Sequence, residues 1–67
     1  MNREDFCHLI DITEKNKQDI EIHTPSHSYL ISRECFDSIR FLRNTIVAHT
    51  NSDIYISIDA IESVTAW

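Results

Sequence analysis

This chain has 67 residues, 11 acidic and six basic side chains, a net charge of −5 and no glycine. Average usage of about 7% would supply four or five glycines, so phosphate-cradling loops and dinucleotide fingerprints, which need that residue, are excluded. The acidic excess disfavours unstructured attraction to nucleic acid, which rests on lysine and arginine.

One domain over 1–67 is expected, and a chain of this size buries only about 60% of the surface its unfolded form exposes. Eleven isoleucines argue against disorder and favour strands, because β-branched side chains suit a pleated surface better than a helix. A second copy would supply core that one copy lacks, so self-association is expected.

Asn2 is suited to cap a short N-terminal helix, with Glu4 and Asp5 in its first turn. The pattern predicts a helix over 3–10 with an irregular exit, in which Phe6, Leu9, Ile10 and Thr13 share a face. The competing reading makes 9–13 a strand with Ile10 and Ile12 alternating. Next, DIEIHT (19–24) alternates and predicts a strand with Ile20 and Ile22 inward. Pro25–Ser28 reads as a turn and SYLIS (28–32) as the returning strand.

The span 32–44 predicts a central helix. Ser32 stands at its N-cap, Glu34 in the first turn, Arg40 and Arg43 in the last, and Asn44 at the left-handed C′ position. At helical spacing Cys35, Phe36, Ile39 and Leu42 share the buried face while Phe41 points away. TIVAHT (45–50) and DIYISI (53–58) predict two more strands around Asn51-Ser52. AIESVTA (60–66) predicts a last short strand or bend anchored by Ile61 and Val64. The expected fold is α+β: a small antiparallel sheet of four to five strands, the central helix packed on one face, and a short N-terminal helix.

The stretch FDSIRFLRNT (36–45), followed by DAIESV (59–64), is similar to the central strands of Sm-like RNA-binding proteins of the bacterial Hfq type. The likeness extends over most of the chain if a gap in the first stretch and an insertion before the second are allowed. It implies an alternative fold, an Sm-like small β-barrel entered from an N-terminal helix, and an RNA-binding oligomer. The chain departs from that pattern in lacking the glycines of the Sm motif. It also has no base where the family's basic-aromatic RNA contact would fall, near Ser57-Ile58-Asp59.

Cys7, His8, His23, His27, Cys35 and His49 are all the soft metal ligands present, and no CxxC or HExxH spacing occurs among them. No metal site is therefore expected, and the thiols are expected to pack as small apolar groups. Cys35 or Cys7 with His49 would make a nucleophilic pair on paper. A thiol on the buried helix face is inert, and so small a domain has little room for a cleft of about 300 Å3. No catalytic residue, cofactor or enzymatic activity is expected. Two unbridged cysteines and the absence of an apolar signal segment predict a cytoplasmic protein with no membrane association.

Charge is uneven. Residues 33–43 carry Arg33, Arg40 and Arg43 against Glu34 and Asp37, whereas 44–67 carry Asp53, Asp59 and Glu62 with no base. The arginines read either as dipole complementation with intrahelical pairing to Asp37 or as an anion-binding ridge. Phe41 between Arg40 and Arg43 has the composition of an interface hot spot. Asp53 and Asp59 flank one strand and read as a solvated rim. Trp67 either folds back on the sheet or docks against another subunit.

These features predict a small non-enzymatic protein-binding domain, a regulator or inhibitor of the acidic type found on phages and mobile elements. The expected partner is a larger protein with a basic surface, such as a nucleic-acid-binding protein, with direct nucleic-acid binding disfavoured. The candidate contact residues are Arg40, Phe41, Arg43, Asp53, Asp59 and Trp67.

Overall fold

Asn2 starts the first element as its capping chemistry predicts. Its Oδ1 accepts from the Asp5 backbone N–H at 2.8 Å, and Glu4 and Asp5 occupy the positive end of the dipole. The structure is a computed structural model and describes all of residues 1–67. Helix α1 runs Arg3–Lys15, five residues past the expected end at 10 and through the segment that competed as a strand. Phe6 and Thr13 are buried on one face, and the Thr13 hydroxyl is satisfied by the carbonyls of Leu9 and Ile10 at 3.0 and 3.1 Å. An inward threonine on that face carries the helix one turn further.

The helix ends in a Schellman motif. Gln18 N–H donates to Thr13 O and Lys17 N–H to Glu14 O, with Lys17 at φ 56° in the position that glycine usually fills.

Six strands follow: β1 Ile20–His23, β2 Ser28–Ile31, β3 Arg40–Leu42, β4 Thr45–His49, β5 Asp53–Ser57 and β6 Ser63–Ala66. They form two antiparallel three-stranded sheets, ordered β2-β1-β6 and β3-β4-β5. The expected hairpin of DIEIHT and SYLIS is β1–β2, with Ile20 opposite Ile31 and Ile22 opposite Tyr29. TIVAHT and DIYISI are β4 and β5, with Ile46 opposite Ile56.

The central helix over 32–44 does not form, and this is the main correction to the expected fold. Arg33–Ser38 is a 3-10 turn, followed at once by β3. Ser32 makes no capping bond with its side chain. Ser38 Oγ instead contacts Cys35 O at 2.6 Å and accepts from His49 N–H at 3.1 Å, which fastens the turn to the end of β4. The left-handed residue is Arg43, at φ 58°, and not Asn44. Arg43 and Asn44 are the two loop residues of a hairpin in which Leu42 pairs with Thr45. The predicted single sheet is two sheets, and they do not join into the closed barrel that the Sm-like alternative implies.

Both sheets turn their isoleucines to one core. It comprises Phe6, Phe36, Ala48 and seven isoleucines at 20, 22, 31, 46, 56, 58 and 61. Each buried isoleucine contributes about 1.5–3 kcal/mol relative to an exposed one, which makes this cluster the principal stabilising element of the chain. Phe41 projects inward from β3 onto Phe6, edge-to-face at 6.0 Å between ring centroids, and thereby seats α1 on the second sheet. A second 3-10 turn, Ile58–Ala60, leads into β6 and buries Ile58. No helix is long and apolar enough to cross a membrane.

Candidate protein-binding surface

Alternation that sends Ile20 and Ile22 inward must send Asp19, Glu21 and His23 to the outer face of the first sheet. On β2 the same logic turns Leu30, opposite Glu21, outward, and it is 62% exposed. Trp67 continues the β1–β6 ladder past its last strand residue. Its N–H donates to Asp19 O at 2.8 Å and its carbonyl accepts from Asp19 N–H at 3.1 Å. Of the two expectations for Trp67, its backbone follows the first: it folds back along the sheet. Trp67 is nevertheless 66% exposed, with its Nε1–H donating to Glu21 Oε1 at 3.2 Å.

Asp19, Glu21, Leu30 and Trp67 together line an open depression of about 390 Å3. This exceeds the volume expected for so small a domain, but no thiol and no imidazole lines it. Asp19 Oδ1 accepts from Arg33 N–H at 2.8 Å, and Glu21 lies 3.9 Å from His23 Nε2. The site thus sets two exposed apolar side chains beside two carboxylates, neither of which pairs with a lysine or arginine side chain. His23 is held between Ser28 Oγ and Thr65 Oγ1 at 3.1 and 3.0 Å, so the strand carrying Glu21 is tied to both neighbours.

The other residues singled out from the sequence are dispersed. Without the helix there is no arginine ridge: Arg33 lies in the 3-10 turn, Arg40 on β3 and Arg43 in the hairpin loop. Arg40 Nη1 donates to the carbonyls of Asp37 and Ile39 at 2.6 and 2.9 Å. Phe41 is not the exposed aromatic expected between arginines. It is half-buried against Phe6, and the Arg3 guanidinium lies 4.5 Å above its ring. Asp53 is exposed and bonded to His49 Nδ1 at 2.5 Å, and Asp59 accepts from Asn44 Nδ2 at 2.8 Å.

Cys7 is exposed on α1, Cys35 is half-buried, and both are free thiols. An apolar dimple of about 170 Å3 lies beside Cys7, between α1, the first 3-10 turn and β3. His, Cys, Asp and Glu side chains nowhere gather in threes.

Asp19, Glu21 and Leu30 were not singled out from the sequence. Alternation does mark Glu21 as outward, and the expected β1–β2 hairpin sets Leu30 opposite it, but the pairing that brings Trp67 to them is long-range. No protein-family model matches the chain, and no curated protein or solved structure is significantly similar to it.

Proposed function

We propose that the chain is a small non-enzymatic protein-binding domain, a regulator or inhibitor that takes a basic segment of a larger protein on the outer face of its first sheet. The observation that carries this reading is the exposed Trp67 and Leu30 beside Asp19 and Glu21. A lysine or arginine stem can lie along the indole and the leucine while its charged head meets the carboxylates. Tryptophan is among the residues that dominate interface energetics, and it loses little conformational freedom on binding. The −5 net charge would speed encounter with a basic partner and make it sensitive to salt.

The acidic contacts are thereby reassigned. All four carboxylates have hydrogen-bond partners, but only Asp19 and Glu21 border the exposed carbon of Leu30 and Trp67. The test is capture of partners from the native host by the wild type, Trp67→Ala and Glu21→Lys proteins at low and high salt. A basic protein retained by the wild type, lost from both variants and released by salt is expected. A partner held equally by all three would defeat this reading, and retention of uridine- or adenine-rich RNA in its place would favour the RNA-binding alternative.

A further inference from the structure

The second sheet also exposes carbon and charge on its outer face, in a different arrangement. Strand register places Arg40, Val47 and Tyr55 in one row across β3, β4 and β5. Leu42 lies one pleat repeat to one side of Arg40, and Asp53 one repeat to the other side of Tyr55. Leu42 is 64% and Tyr55 61% exposed, and Val47 is half-buried between them. Charge divides across the sheet, with the Arg40 guanidinium on the β3 edge and the Asp53 carboxylate, which also bonds the exposed His49 Nδ1 opposite it on β4, on the β5 edge. Apart from its Nη1 bonds to two carbonyls, Arg40 forms no hydrogen bond or ion pair through its guanidinium.

We propose that this face binds a second copy of itself, as a symmetric dimer whose two-fold axis runs parallel to the strands. The charges select the axis. A two-fold along the strands exchanges β3 with β5, so each Arg40 lies over the partner's Tyr55, about 7 Å along the strand from the partner's Asp53. Both are favourable neighbours for a guanidinium. Val47 then meets its own copy at the axis. A two-fold across the strands would instead leave β3 over β3 and stack Arg40 on Arg40.

A face that carries both signs, one on each edge, is self-complementary in the sense that an isologous contact requires. A foreign partner of single charge sign would meet repulsion at one edge or the other. This inference goes beyond the partner reading. The dimer leaves the outer face of the first sheet open and presents two copies of the Trp67 surface.

Analytical ultracentrifugation from about 1 μM to about 1 mM chain tests it. The wild type is expected to dimerise within that range, and Arg40→Asp and Asp53→Arg each to remain monomeric throughout. An equimolar mixture of the two variants is expected to dimerise again, because every reversed charge then faces its opposite. Circular dichroism verifies that each variant is folded. Should either fail to fold, Tyr55→Ala replaces it, with an expected weakening of dimerisation of roughly tenfold or more. A wild type that stays monomeric to 1 mM, or a dimer that the substitutions leave unchanged, overturns the proposal. A mixture that stays monomeric overturns the proposed axis.

Discussion

The two sheets are alike inside and unlike outside. Each sends isoleucines inward, Ile20, Ile22 and Ile31 from the first and Ile46 and Ile56 from the second, into the same core. The outer face of the first sheet sets Trp67 and Leu30 among carboxylates. That of the second sets Leu42 with Arg40 on one edge strand and Tyr55 with Asp53 on the other. Stability is therefore shared between the sheets, whereas the chemistry of their outer faces is not. Neither outer face is needed to complete the core, which leaves each available for the contact proposed for it.

The largest expected effect comes from the helix that closes over that core. Phe6→Ala should cost about 3–5 kcal/mol, close to the whole stability of so small a domain, and leave the chain largely unfolded in urea titrations that the wild type survives. Ile22→Ala and Ile46→Ala should each cost about 2–5 kcal/mol, and each should unfold in a single transition. Two separated transitions in either variant would break the comparison, because the sheets would then not share a core.

Smaller effects lie at the two left-handed residues of this glycine-free chain. Lys17→Gly and Arg43→Gly should each raise stability by about 0.5–1 kcal/mol, since a Cβ at positive φ costs more than the entropy that glycine adds to the unfolded chain. The smallest effects belong to the outer faces. Leu30→Ser and Tyr55→Ser should change the denaturation midpoint by no more than about 0.5 kcal/mol equivalent, and a larger loss would mean that those faces support the fold.

How far the sequence discloses this structure depends on the local signal in each segment. The β1–β2 and β4–β5 hairpins are legible because alternation runs for four or five residues through Ile20-Glu21-Ile22 and Ile54-Tyr55-Ile56. The span 32–44 misleads for an identifiable reason. Phe36 and Ile39 are three apart, which suits a 3-10 turn as well as an α-helix, and Arg40-Phe41-Leu42 is too short for its alternation to outweigh helical spacing.

The signal against a helix was the hairpin register itself. RFL and TIV flank two residues ending in asparagine, the spacing of a tight turn. Of the candidate contacts, Trp67 lies on the acidic outer face, while Phe41 is turned to the core, where it meets Phe6. The grouping of Glu21 and Leu30 with Trp67 leaves no local signal, because it comes from the β1–β6 pairing, with Glu21 and Trp67 46 positions apart.

The binding reading requires an indole open to water in a negative field, and the chain's one tryptophan makes this directly measurable. Quenching of Trp67 fluorescence by caesium and by iodide at equal ionic strength, each scaled to its quenching of free N-acetyltryptophanamide, should be stronger for the cation than for the anion, with Asp19→Asn/Glu21→Gln narrowing the difference. A Trp67 shielded from both ions, or one for which iodide outperforms caesium when each is scaled to its quenching of free N-acetyltryptophanamide, would contradict an exposed aromatic flanked by carboxylates and, with it, the proposed docking of a basic segment.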